Sequence, residues 1–365
     1  MTDDRISRRQ FTATAFVAVL SPLIRRFPRI LAQTAGRTAW LSALLAALPA
    51  AAVVAAAYLL FRRKRSYGEV LTDALGRLPG RAVILLYTLW LLFYTGFLLR
   101  SGAERFVSTV YPGAAAPLFI IVAALLCALA AAGRLKTIAR TAMVFRPLLL
   151  TVLVLALLLT VKDLDLSLLV PVTGADAVPN GYAALQTVNV LSVVCYMAFL
   201  GDRVEARLRL RDFVPWLAVM LSLIGAMAAC CIGLFGPELT AKLRYPFFML
   251  VRDVSLLGSL ERVEPVVIAL WVFSDFIFLS LLLHIAAGNL RECFGLTASK
   301  VSGKPGGRWP ALLCAALAAA AGLLVGRDAE SFSFLSETLV PLLSAVFVFV
   351  LPIPAAVIGL LRGRI

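Results

Sequence analysis

Histidine occurs once in this sequence, acidic residues are 20 of 365, and charged residues together are only 15%. A metal cage needs several imidazoles, thiolates or carboxylates in register, and no such grouping is present. The six cysteines (Cys127, Cys195, Cys230, Cys231, Cys293 and Cys314) are scattered through or beside apolar stretches, without Cys-x-x-Cys spacing. They read as small packing residues. His284, alone near the end of an apolar run, reads as an interfacial residue. Nothing resembles a nucleophile with its base, or a glycine-rich phosphate loop. The sequence therefore argues against an enzyme and asks for no cofactor.

What is present is apolar: 61% of the chain is hydrophobic and the mean hydropathy is +0.94. Runs of about 20 apolar residues recur throughout, which defines a polytopic membrane protein. Ten spans are expected, at roughly 9–32, 38–61, 81–104, 114–132, 141–161, 181–201, 213–235, 264–288, 309–326 and 335–361. They form a single all-α membrane domain, residues 1–365, with no soluble appendage. The first span is followed by no small-residue cleavage pattern, so no cleavable secretory signal is expected.

Charge sets the expected orientation. Arg5, Arg8 and Arg9, the run Arg62 to Arg65, Arg134/Lys136/Arg140, Arg203 to Arg211, Arg291 to Arg308 and Arg362/Arg364 all fall on one side. The opposite loops carry fewer cations, and theirs are offset by Asp163, Asp165, Asp176, Glu238, Asp253, Glu261, Glu264, Asp328 and Glu330. The positive-inside rule puts both termini in the cytoplasm. The net charge of +15 is then mainly a topology signal, with some attraction to anionic lipid. Basic residues split among short loops make nucleic acid a poor partner.

The first span is interrupted at Ser21-Pro22, and Arg25, Arg26 and Arg29 follow. Proline removes a backbone donor, and opened backbone is tolerated in a membrane only where it is buried in protein or lines a cavity. A break here points to a binding site inside the bundle. Ten spans with a broken first one fit a five-plus-five inverted repeat, in which the first and sixth helices are discontinuous. The sixth span carries Thr187, Asn189, Ser192, Cys195 and Tyr196 but no mid-depth glycine or proline, so its break is inferred.

Outside the spans, Tyr67 to Leu78 places Val70, Leu71, Ala74, Leu75 and Leu78 at helical spacing and reads as an amphipathic surface helix. Gly236-Pro237 opens a long outer loop to Glu264, with short helices expected between Tyr245 and Leu257. Val301 to Trp309 reads as a turn-rich linker.

Ionisable groups within spans are functional candidates by default. Asp275, halfway through the eighth span, reads as a structural partner of a buried arginine, as a proton or substrate-amine site, or as a residue in a wet vestibule. Arg25 and Arg26 could pair with Asp275, face a carboxylate ligand, or snorkel outward. Arg100 and Glu104 share a helix face and form an ion pair. Tyr94 and Phe97, nearer mid-membrane, read as core packing or a ligand gate. Arg146 reads as a snorkelling residue.

Several local patterns occur in a telling order: Ile6-Ser7-Arg8-Arg9-Gln10-Phe11, Ala35-Gly36-Arg37-Thr38-Ala39-Trp40, Tyr67-Gly68-Glu69-Val70-Leu71 with Leu75-Gly76-Arg77-Leu78-Pro79-Gly80, and Ile138-Ala139-Arg140. Leu164-Asp165-Leu166-Ser167-Leu168-Leu169-Val170-Pro171, Tyr245-Pro246, and Glu261-Arg262-Val263-Glu264-Pro265 leading into Trp271-Val272-Phe273 complete the set. Together these resemble the B subunit of spore germinant receptors, the endospore germination permease family of the amino acid–polyamine–organocation superfamily. The departures are Ser21-Pro22 where glycines are common and Lys136 where a glutamate is frequent.

The resemblance implies a LeuT-like ten-helix fold and a ligand site between the first, third, sixth and eighth spans. Carried over by position, that site holds Val19, Leu20 and Ser21; Tyr94 and Phe97; Ser192, Val194, Cys195 and Tyr196; and Ser274 and Asp275. It implies a receptor subunit that senses a small germinant, such as an amino acid, beside partner A and C subunits in the spore inner membrane or the cell membrane. The alternatives are a secondary amino-acid transporter coupled to protons through Asp275, and a water or ion conduit.

Overall fold

The computed structural model describes residues 4–61, 64–111, 113–205, 208–253, 264–295, 308–326, 328–352, 354 and 357. Among these the chain is helical, with no strand; the sole bridge pairs Ile6 with Val204. In order come α1 (Arg8–Ala35), a 3-10 turn (Gly36–Leu41), α2 (Ser42–Leu45), α3 (Ala47–Phe61), α4 (Tyr67–Leu75), α5 (Arg77–Thr109), α6 (Ala116–Ala131), α7 (Leu135–Thr160) and α8 (Ala177–Leu191). A 3-10 segment (Ser192–Arg203) continues α8, and then α9 (Leu210–Lys242), α10 (Pro246–Asp253), α11 (Glu264–Cys293) and α12 (Trp309–Leu324) follow. The last stretch joins α13 (Ala329–Phe334) and α14 (Val340–Ala345) through π-helical turns at Leu335–Leu339 and Val346–Val350.

Among the described residues six helices are long and apolar enough to cross a membrane, and the bent pair Arg8–Leu45 and Ala47–Leu59 makes up to seven. The ten expected stretches are largely helical where described, but α6 and α12 have 16 residues each, about 24 Å of helix against an apolar layer of about 30 Å. The chain is a multi-pass membrane protein.

Burial follows from which faces are apolar. α1 is buried on every side from Phe11 to Pro28, Thr12 and Pro22 apart, and packs against α7, α8, α9, α10 and α11. A helix surrounded in this way is the centre of a bundle. α6, α7 and α12 instead turn Leu118, Leu125 and Leu129, Leu148 and Leu158, and Leu317 and Leu324 outward. In water that would be a liability; against lipid it is the expected surface. α5 and α12 meet at Gly96 and Gly322, where a Cβ on Gly96 would lie 2.6 Å from the Ala318 carbonyl oxygen. Small residues let the two backbones touch, as membrane helix pairs commonly do.

The basic loops converge at one end. The Ile6 amide donates to the Arg203 carbonyl (2.8 Å) and the Glu205 amide to the Ile6 carbonyl (3.0 Å). Asp4 accepts from the Leu135 and Lys136 amides, capping α7 from a distant segment. Lys64 donates to the Glu205 carbonyl, and Arg8 faces Asp212.

Several expectations are corrected. α1 runs unbroken through Ser21-Pro22. Proline costs that helix one backbone bond, while side-chain ties from α11 hold the flanking turns. The Ser274 hydroxyl donates to the Val17 carbonyl (3.0 Å), and Asp275 binds Ser21 and Arg25. The discontinuity lies instead in the sixth span, where α8 gives way to 12 residues of 3-10 helix at Ser192. Gly236, at φ 76° and ψ 161°, is non-helical, so α9 is two helices meeting at a kink: the break expected at Gly236-Pro237 is present, but a second helical stretch to Lys242 follows it. α4 is amphipathic as expected, with Tyr67, Val70, Leu71 and Ala74 facing the core and Glu69 exposed, but Leu75 is exposed and Leu78 belongs to α5. His284 is half-buried and ties α11 to α6 through the Ala131 carbonyl (2.9 Å). The expected linker lies outside the described residues apart from its end.

Candidate functional site

The 3-10 segment is the least regular part of the interior. Such helices rarely exceed a few residues because their hydrogen bonds are poorly aligned. This one persists because Ser192 to Gly201 is buried throughout against α1, α3, α4 and α11. Ser192 donates back to the Asn189 carbonyl at the switch, and Asn189 reaches the Pro341 carbonyl (3.1 Å). The final helical stretch, itself interrupted by π turns, thus braces the point of irregularity.

Beside this segment is an aromatic cluster. Trp90 stacks on Tyr94 (ring centroids 5.4 Å) and on Phe347 (5.1 Å), and its indole N–H donates to the Tyr196 hydroxyl (2.9 Å). Tyr196 also meets Ser344 (3.3 Å) and lies 6.4 Å from the Tyr94 ring. Tyr67, Tyr87 and Phe199 extend the cluster edge to face. Five of the positions carried over from the resemblance therefore lie together: Tyr94 and Tyr196 in ring contact, with Ser192, Val194 and Cys195 on the same buried segment. Phe97 instead stacks on Phe332 (5.7 Å). Val19 is fully buried, Leu20 faces a cleft beside the site, and Ser274 pins α11 to α1.

Asp275 is the ionic centre. One oxygen accepts from Arg25 (2.9 Å) and from the Ser21 hydroxyl, and the other from Arg105. Arg105 is 2% exposed, and its guanidinium lies over the Trp271 ring at 4.5 Å. Trp271 and Asp275 are four apart on α11, so one helix face presents both the ring and the carboxylate.

Arg105 is absent from the sequence reading, where the neighbouring Arg100 and Glu104 attract attention as an ion pair. That pair exists (2.9 Å), with Arg244 as a third member (2.7 Å). The missed signal is positional: Leu98, Ser101 and Arg105 share the buried stripe of α5, a face Glu104 does not occupy.

Arg26 and Arg29 both reach Glu337 (3.4 and 3.5 Å), and Arg26 also donates to Ser336 (2.6 Å). Neither Arg25 nor Arg26 snorkels. Each of Glu104, Asp275 and Glu337 is thus bracketed by two arginines. Three carboxylates facing six guanidiniums leave this region electropositive. Among the described residues no group of histidine, cysteine and acid could hold a metal ion.

Comparison with solved structures gives the fold. The chain superposes on MhsT in complex with L-phenylalanine with a TM-score of 0.70 over 95% of this chain and 89% of that one, at 15% identity. It matches Mhp1, a nucleobase-cation-symport-1 family transporter in a closed conformation with bromovinylhydantoin bound, with a TM-score of 0.64 over 94% and 78%, at 16% identity. A Na+-coupled sialic acid symporter gives 0.59 over 94% and 78%, at 14%. The architecture is that of the LeuT-like transporters, all α.

Sequence comparison is narrower. YfkT of Bacillus subtilis (strain 168), a protein named for spore germination, is 24% identical over 259 residues, covering 68% of this chain and 69% of that one. The permease-type model described as "Spore germination protein" matches residues 5–319. With most of its length so matched, on a transporter fold, the chain belongs to the spore germination permease family.

Proposed function

We propose that this chain is a permease-like subunit of a spore germination receptor. It binds a small solute, such as an amino acid, between α1, α5, the 3-10 segment and α11, and passes the event to partner A and C subunits. The observation that carries this reading is the meeting of a strained helical segment, Ser192–Arg203, with α1 and α11 beside the Ser21–Arg25–Asp275 cluster. A 3-10 run of this length can rewind toward α-helix, and a ligand that favours one form shifts the population by its difference in affinity. The relatives named above support a permease-like role on this fold, as does the buried polar centre in an otherwise apolar bundle. Both termini are assigned to the cytoplasm of a spore inner membrane or cell membrane, on the convergence of the basic loops.

The alternative, proton-coupled transport through Asp275, is less favoured because that carboxylate is already engaged by two guanidiniums. Binding and uptake of an amino-acid panel in vesicles, measured on the chain alone and with its partners, separates the two. A receptor subunit gives saturable binding without net flux. Robust uptake by the chain alone, reduced by Asp275→Asn, would overturn the receptor reading.

A further inference from the structure

The stretch between α7 and α8, residues 161–176, carries a sequence pattern that the solute site leaves unused. α7 begins at the basic end of the bundle, where Asp4 caps Leu135 and Lys136, so the loop after its far end lies on the opposite face. It is firmly tied. The Asp165 amide donates to the Gly233 carbonyl of α9 (2.9 Å), and Trp40 and Arg37 donate to the Leu169 and Val170 carbonyls (3.4 Å each). Asp165 and Asp176 close their own turns by accepting from Ser167 and Thr173. Leu164 and Leu169 pack against the core. The remaining apolar residues face out: Leu166 is 67% exposed, Val170 50% and Val172 51%.

Lipid and protein are the two surroundings that take such side chains, and charge and anchorage decide between them. Lys162, Asp163 and Asp165 are exposed beside Leu166, and the Ser167 hydroxyl and amide hold the Asp165 carboxyl below the usual carboxylate range, in its ionised form. Ionised carboxylates are costly in hydrocarbon. The anchors lie on α9 and on the turn that follows α1, the buried centre of the bundle, and not on α6 or α12, which turn leucines to the lipid. Apolar side chains fixed between charges in water have the make-up of a protein interface, an apolar middle with a polar rim. A loop already held in place also loses little freedom on binding.

We infer that this loop docks the water-exposed domain of a partner subunit, one that presents an apolar patch rimmed by lysine or arginine. Leu166, Val170 and Val172 form the middle of the surface. Asp163, Asp165 and Asp176 form its rim and, against Lys162 and Arg37, leave it net acidic on a chain of net charge +15. The inference rests on the reading of the chain as a subunit that works with partners, and it names the surface offered to one of them. Anchorage on the turn after α1 sets the docked domain beside the helix that runs through the solute site.

Photocrosslinking tests this. p-Benzoylphenylalanine is placed singly at Leu166, at Val172 or, as a lipid-facing control, at Leu125 of α6, in the full chain expressed with its A and C partners. The membranes are irradiated and the adducts are mapped by mass spectrometry. Leu166 and Val172 are expected to join the same water-exposed domain of one partner, and Leu125 to join no protein. Asp163 pairs with its neighbour Lys162 (3.9 Å), so Asp163→Lys reverses a rim charge without cutting an anchor. That substitution, and separately salt at about 1 M, is expected to lower the adduct yield at Val172 by about threefold or more. Adducts to lipid alone, a bonded peptide within a transmembrane helix, equal protein yield at Leu125, or a yield indifferent to both Asp163→Lys and salt overturns the proposal. Solute binding measured on the same membranes keeps the two readings apart. Binding without an adduct overturns the docking surface and leaves the solute site standing, whereas an adduct without binding removes the solute site and leaves the surface.

Discussion

Asp275 is the residue on which the interior is built, because among the described residues it is the carboxylate that balances two buried guanidiniums. Removing one partner of such a set leaves charge without compensation, at a cost of about 3–5 kcal/mol. Asp275→Asn is accordingly expected to lower the thermal midpoint of the purified chain markedly, whereas Tyr196→Phe, which deletes the acceptor of Trp90, should cost only about 1 kcal/mol. Differential scanning fluorimetry in one detergent compares them; equal losses would contradict the central place given to the carboxylate. Asp275 was legible in the sequence because a lone acid inside an apolar run is conspicuous. Its partner Arg105 was not, because it sits among Arg100 and Glu104 at a span end, where charged residues are ordinary. Helical phase, not residue type, distinguishes it.

At the scale of elements, backbone irregularity sits where side-chain chemistry is ambiguous. Ser21-Pro22 carries the stronger local signal for a break, yet α1 stays helical because α11 ties both flanking turns. The sixth span has no proline or mid-depth glycine, and its switch at Ser192 arises from tertiary packing that no local signal reports. The contact of α5 with α12 is similarly tertiary. Gly96→Leu forces a side chain into backbone atoms of α12, so it is expected to abolish folding or separate the helices, while Gly113→Ala, with open space around it, loses little beyond the strain of its positive φ. Monodispersity on size exclusion checks this, and a folded Gly96→Leu protein would refute the close approach.

The loop between α7 and α8 gives an element-scale pH test. Asp165 accepts from the Ser167 amide (2.9 Å) and hydroxyl (2.6 Å), and these bonds hold its carboxyl below the usual carboxylate range. A depressed folded value means that the anchoring is complete above an unfolded pKa of about 3.9 and is lost as pH falls through the lower folded value. The neighbouring Leu169 carbonyl accepts from the Trp40 indole. Trp40 fluorescence is therefore expected to be flat from neutral pH to about 4 and to change below it. Asp165→Ala should show the loosened signal at every pH.

The whole molecule is a transporter fold with a densely tied interior. Composition, hydropathy and the order of weak motifs were enough to reach that fold and the family, because apolar runs and short loop patterns are linear properties. The ion-pair sets, each joining segments distant in sequence, are not linear and had to be seen folded. α1 packs against the 3-10 segment as well as against α7, α8 and α9, so in the proposed reading it is the element that would carry a change at that segment to the rest of the bundle. Hydrogen exchange on the full chain in nanodiscs, with and without a saturating small-solute ligand, tests this most directly. Ligand is expected to slow exchange in Ser192–Arg203 and in α1 around Ser21. Saturable binding with those amides unchanged, and protection confined to other helices, would contradict the placement of the site.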